Sequence, residues 1–268
     1  MFDQGNLPEA ILALEAAVQQ HPTDSNAWCK LGLAHAENDK DNLAILSLEQ
    51  SLNADPNNLE ALMTIAVSHT NEFHQSKAVD SLRLWLIRNP KYSAQFKGMP
   101  EDSFADLRQV EKMFLDAARS QPTDPGVHSA LGLIYNLCFE YDKAIDCFRA
   151  ALMERPDDYQ LWNKLGATTA NSNQGRERAH EAIDAYYRAL EKKPTYTRAR
   201  ANLGISHMAT SNYIEAAKCF LGALDINSTP HLWDNLKSAF TMMDRLDLVE
   251  KVQIADGNVD LFRDEFDF

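Results

Sequence analysis

Positive charge is scarce in this 268-residue chain: 26 Lys and Arg stand against 39 Asp and Glu, a formal net charge of −13. Phosphate contacts need Lys and Arg, and anionic lipid makes the same demand, so nucleic acid and a lipid surface are excluded as partners. Glycine and proline are also few, ten of each, which excludes collagen-like and low-complexity chains. No apolar run reaches the length of a membrane-spanning helix, so no direct membrane span is expected. The opening residues, Met1-Phe2-Asp3-Gln4-Gly5, do not read as a secretory signal. The four cysteines, Cys29, Cys138, Cys147 and Cys219, form no Cys-x-x-Cys pair. They fit small buried residues in a reducing compartment better than disulfides or zinc ligands. Catalytic signatures are missing too: there is no phosphate-binding Gly-x-x-x-x-Gly-Lys-Ser/Thr, no Gly-x-Ser-x-Gly and no His-Glu-x-x-His. No enzyme activity, no cofactor and no metal are expected.

What the chain does have is a period. Pro22, Pro56, Pro90, Pro122, Pro156 and Pro194 follow apolar stretches at spacings of 34, 34, 32, 34 and 38. The small residues Gly32, Ala66, Gly132, Gly166 and Gly204 recur at 34, 66, 34 and 38. Two markers drift together, which chance does not produce. Between them the order is fixed: Trp28-x-x-Leu31-Gly32, then Ala44, Leu48 and Pro56; His128-x-x-Leu131-Gly132, then Ala144, Phe148 and Pro156. Each period reads as two amphipathic helices. A small residue lets them approach, and a proline stops the second.

This pattern resembles the tetratricopeptide repeat. The resemblance implies an all-α tetratricopeptide-repeat solenoid of about seven repeats, with neighbours stacking to bury the face that no unit buries alone. The first repeat reads as truncated, with Gly5 to Ala10 as its turn and 9–21 as its second helix, so the chain is expected to be a fragment. The fourth is degenerate: residues 91–104 lack the marker set and form a candidate hinge. The sixth carries four extra residues between Asn171 and Glu181. The expected domains are an N-terminal stack at 1–92, the degenerate repeat at 93–124, a C-terminal stack at 125–230 and a helical cap at 231–268. His35, His69 and His207 share the register position of Tyr135, which predicts helix packing rather than metal ligation.

Arrays of this kind bind extended peptides along their first helices. The polar residues expected there are Thr70, Asn71, Glu72, Asn136, Asn163, Lys164, Arg198, Asn202 and Ser206. The last three, at i, i+4 and i+8, share one helix stripe. An Asn amide donates and accepts at once and so can pair with a peptide main chain. Lys164 and Arg198 add cations suited to a free carboxylate. The expected chemistry is capture of a C-terminus. Asn near a helix end also serves as a cap, a reading open for Asn71 and Asn136.

Four segments narrow the resemblance: Ala-Val-Ser-His-Thr-Asn-Glu at 66–72, Glu-Tyr-Asp-Lys-Ala at 140–144, Leu-Trp-Asn-Lys-Leu-Gly-Ala-Thr at 161–168 and Arg-Ala-Asn-Leu-Gly-Ile-Ser at 200–206. They resemble the tetratricopeptide domain of the peroxisomal targeting signal type-1 receptor family over nearly the whole chain. The resemblance implies a receptor for the C-terminal tails of peroxisomal matrix proteins, ending in Ser-Lys-Leu or a near variant. It implies peptide contacts from Asn71, Asn136, Asn163, Arg198, Asn202 and Ser206, with Lys164 in the same site and Thr70 and Glu72 beside it. Where the family has an Asn three residues after Ser206, this chain has Ala209, with Thr210 the nearest replacement. A cytoplasmic location, cycling to the peroxisomal membrane, and docking proteins reached through a region not in this chain are further implications. The alternatives are a chaperone adaptor clamping acidic C-termini, and a substrate-recruiting scaffold of a larger enzyme.

Overall fold

The structure, a computed structural model, describes residues 7–99, 106–172 and 177–268. The opening turn at Gly5 and Asn6, the end of the 91–104 stretch and the middle of the lengthened turn after Asn171 lie outside the described residues. Among the described residues there are fourteen α-helices, one 3-10 helix and no strand. The chain divides into two compact units, residues 1–156 and 157–268.

The first unit holds α1 (Leu7–Gln20), α2 (Ser25–Glu37), α3 (Asp41–Ala54), α4 (Leu59–Asn71), α5 (Gln75–Arg88), α6 (Leu107–Ser120), α7 (Pro125–Leu137) and α8 (Tyr141–Glu154). Helix length sorts them. The pairs α2/α3, α4/α5 and α7/α8 each join a 13-residue helix to a 14-residue one. α1 and α6 have 14 residues, the length of a second helix. Each is therefore the second half of a repeat.

The linkers between repeats follow one rule. α1, α3, α6 and α8 end two residues before Pro22, Pro56, Pro122 and Pro156. Proline has no amide hydrogen and its ring blocks the helix, so the chain leaves it there. Two residues further on, Asp24, Asn58 and Asp124 accept hydrogen bonds from the first free N–H groups of α2, α4 and α7. Trp28 and His128, four residues before the small residue, reach back to the carbonyls of Pro22 at 2.9 Å and Pro122 at 2.6 Å.

The turns inside each pair are equally regular. Asp39, Phe73 and Phe139 lie in the left-handed region, with φ of 58°, 59° and 59°. The next N–H then closes on the first helix: Lys40 on the His35 carbonyl, His74 on His69 and Glu140 on Tyr135, at 2.9, 2.8 and 2.9 Å. This is a helix C-terminal motif that usually takes glycine. Packing is tightest where the small residues stand. A methyl group added at Gly132 would lie 2.6 Å from the Phe148 ring.

The stretch after Pro90 is anchored at its start. Tyr92 is fully buried against Trp85, which stacks on Phe114 of α6. Lys91 Nζ donates to the Asp124 carboxylate at 2.8 Å.

The second unit holds α9 (Tyr159–Asn171), α10 (Ala179–Lys192), α11 (Thr197–Ala209), α12 (Tyr213–Ile226), α13 (Pro230–Met242), α14 (Leu246–Ile254) and the 3-10 helix Val259–Phe262. α9/α10 and α11/α12 repeat the 13-and-14 pairing. Asp158 caps α9. Gly204 meets the Phe220 ring as Gly132 meets Phe148. The period survives in α13/α14, where the sequence markers fade. Asp244 takes φ 57° and Arg245 N–H closes on the Phe240 carbonyl at 3.0 Å. The chain end packs behind this pair. Phe262 and Phe266 lie 5.6 and 5.5 Å from Phe240 in a buried cluster with Leu236 and Leu248.

Candidate peptide-binding site

All nine candidate residues fall on first helices or at their ends. In the first unit Thr70, Asn71 and Glu72 close α4, and Asn136 closes α7. The Thr70 hydroxyl donates to the Ala66 carbonyl of its own helix at 2.8 Å. Asn71 is exposed, and its Nδ2 donates to Asp41 at the start of α3 at 3.0 Å. Glu72 is the half-buried C-cap, bonded through its N–H to the Ser68 carbonyl. Asn136 is half-buried, and its carbonyl accepts from Phe139 N–H at 3.0 Å.

In the second unit the structure brings candidates into contact. Asn163 is buried on α9. Asn202 Nδ2 of α11 donates to Asn163 Oδ1 at 3.1 Å, and Asn163 Nδ2 donates to the Tyr196 hydroxyl at 3.3 Å. The three form a directed chain from Asn202 through Asn163 to Tyr196. Asn202 retains its own Oδ1 and one N–H beyond that chain. Lys164 follows Asn163 on α9 and is half-buried. Arg198 precedes Asn202 by one turn of α11 and is half-buried.

Ser206, one turn beyond Asn202, is buried close to the Tyr186 hydroxyl of α10. Burial pushes the Tyr186 phenol well up, so it stays protonated. The Thr210 hydroxyl is spent on its own helix, on the carbonyls of Ser206 at 3.2 Å and His207 at 3.1 Å. Ala209 is exposed.

Two residues of this cluster were not among the candidates. Tyr186 stands at an ordinary core position and gives no sequence signal. Tyr196 does give one. Two residues after the repeat-closing proline, Asp24, Asn58, Asp124 and Asp158 stand ready to cap the next helix; after Pro194 it is Tyr196, as it is Tyr92 after Pro90, and Tyr196 makes no side-chain cap.

His35, His69 and His207 are buried between paired helices, as is Tyr135 at the same register. Burial lowers the pKa of all three, that of His69 to about 4. Burial raises the Cys29 and Cys219 thiols to about 12, which keeps them protonated and inert.

Family models described as "TPR repeat" and "Tetratricopeptide repeat" match residues 1–39, and residues 25–58 and 126–158. The whole chain is similar to a "Peroxisomal targeting signal 1 receptor" of Dictyostelium discoideum, 49% identical over 278 residues. It is also similar to a "Peroxisomal targeting signal receptor" of Eremothecium gossypii, 42% identical over 285 residues. In both cases all of this chain is covered, against 42% and 49% of the relative, so the chain spans about half the length of the curated relatives it matches. Among solved structures, a chain in the crystal structure of the APC/C hetero-tetramer Cut9-Hcn1 is 19% identical, with a TM-score of 0.47 over 89% of this chain and 47% of that one.

Proposed function

Starting from a chain that belongs to the peroxisomal targeting signal receptor family as its tetratricopeptide portion, we propose that it binds the C-terminal Ser-Lys-Leu-type tripeptide of peroxisomal matrix proteins for import. The relatives are named as receptors. The observation that carries the reading is the Asn202–Asn163 amide pair, with Lys164 and Arg198 beside it on the same two helices. Amides serve the peptide main chain, which every cargo shares. The two cations serve the terminal carboxylate through charge-assisted hydrogen bonds. Ser206 belongs to the same set in the second unit. In the first unit, Thr70, Asn71, Glu72 and Asn136 are proposed as peptide-contacting residues on their own helices, the Glu72 carboxylate suiting a basic side chain. The net charge of −13 favours encounter with a basic tail over an acidic one. That argues for this reading over an adaptor for acidic C-termini. A cytoplasmic location with cycling to the peroxisomal membrane, and docking proteins there, belong to the same proposal.

A fluorescent peptide ending in Ser-Lys-Leu, titrated beside its C-terminally amidated twin, tests it. Tight binding of the free acid alone is the expected result. Equal binding of both, or of neither, would leave a tetratricopeptide scaffold with another partner.

A further inference from the structure

We propose that Tyr196 is a positioning residue for the peptide site, anchoring the Asn163 amide and, through it, the Asn202 amide that meets the ligand. The inference rests on the reading of Asn202 as a peptide contact.

Tyr196 sits where a helix cap belongs. Asp24, Asn58, Asp124 and Asp158 each use this position to satisfy the N–H groups of the following helix. Tyr196 forgoes that bond. Loss of such a cap is a cost in stability, and a local rule broken inside a regular array marks a place where something else is served.

What it does instead is printed in the geometry. The ring is buried, edge-on to Tyr159 at 5.2 Å, and Tyr159 is in turn held under Lys193 at 4.8 Å. The hydroxyl therefore cannot swing away from α9. It accepts from Asn163 Nδ2. A phenol O–H can donate as well as accept, so the hydroxyl anchors the Asn163 amide whichever end faces it. With Nδ2 of Asn163 turned to Tyr196, its Oδ1 is turned to Asn202 and accepts from Asn202 Nδ2. Asn202 is thereby oriented too, and its remaining carbonyl oxygen is offered outward as an acceptor. The ligand group that matches it is a main-chain N–H. Without the hydroxyl, Asn163 Nδ2 faces an aromatic edge, and the amide pair loses its anchor.

The test is a double-mutant cycle on the 268-residue chain, with the fluorescent Ser-Lys-Leu peptide as probe. Tyr196→Phe should weaken binding by roughly tenfold in the wild-type background and by less than about twofold in Asn202→Ala. The same factor in both backgrounds would mean a merely structural tyrosine and would overturn the proposal. Without peptide, Tyr196→Phe should shift the side-chain amide NMR signals of both Asn163 and Asn202; an unmoved Asn202 signal would also overturn it. A third arm needs no variant. Peptides with single backbone N–H groups replaced by ester oxygen should include one that wild type binds roughly tenfold more weakly; no such position would sink the acceptor role. A wild type that ignores the parent peptide overturns the peptide reading and this role together. A wild type that binds while Tyr196→Phe binds equally overturns this role alone.

Discussion

At the scale of single residues, the regular array isolates the side chains whose removal should be felt in binding and not in folding. Lys164 and Arg198 are half-buried on first helices and fill no core position. Replacing either by Ala should weaken the free-acid peptide by about 1–3 kcal/mol, the worth of a charge-assisted hydrogen bond. The preference for acid over amide should shrink in parallel. Unchanged affinity in both variants would remove them from the site. Asn202→Ala should weaken the peptide while its thermal melt stays close to wild type, because Asn202 is itself only half-buried. A collapsed melt would make Asn202 structural. Strain appears at one residue type the pattern did not foretell. Phe73 holds φ 59° with 92% of its surface exposed, so its side chain gives little back for the conformation. Phe73→Gly should raise stability by about 0.5–1 kcal/mol in denaturant melts, glycine being the residue that adopts this region freely.

At the scale of helices, the small residue decides how closely a pair can come. Gly204 faces the Phe220 ring and Gly32 faces Leu48 Cγ and Cδ2, with a new methyl group 2.6 and 2.5 Å from the nearest atoms. A buried ring cannot fold away, whereas leucine has other rotamers. Gly204→Ala should therefore destabilise by about 1–3 kcal/mol, the range of overpacked cores, and Gly32→Ala by less. Chemical denaturation of both variants decides this, and equal losses would count against the ring argument. The same scale explains a degenerate position. Trp28, His128 and Arg200 share no chemistry except an N–H donor, yet each bonds the carbonyl of the proline six residues earlier. The requirement is for a donor of sufficient reach. Residue identity is free, and so the position looks variable in the sequence.

At the scale of the molecule, charge and protonation set the conditions under which the array is intact. His35, His69 and His207 are neutral in the fold because burial lowers their pKa, that of His69 to about 4. In the unfolded chain a histidine titrates near 6.5. Between about pH 6.5 and 4 the unfolded chain therefore takes up protons that the folded chain refuses, and stability falls as pH falls. His69 faces Lys77 and His74, whose positive charge would deepen the effect. Glu15 beside His35 and Glu215 beside His207 soften it. Denaturant melts at pH 7.5 and 5.0 should show the loss. His69→Thr, which takes the residue found at the same register in α9, should reduce the pH dependence. A pH-independent stability would contradict the neutral buried state.

The repeat, its register and the all-helical fold were open to the sequence because each depends on local rules. Proline ends a helix wherever it stands, an apolar stripe at helical spacing must be covered, and a glycine recurring with the prolines marks a close approach. The likeness to the receptor family was legible for a related reason: runs such as Leu-Trp-Asn-Lys-Leu-Gly at 161–166 carry more specificity than the repeat needs. The left-handed turns were hidden, since the positions of Asp39, Phe73, Phe139, Ser211 and Asp244 share φ but no one residue type. The helices of α13/α14 were expected as a cap, but their repeat register was hidden, with Lys237 where other repeats have Gly or Ala. The direction of the amide chain from Asn202 to Tyr196 was hidden most deeply. It joins positions 39 and 33 residues apart. A side-chain amide has no preferred orientation until its neighbours in space assign one.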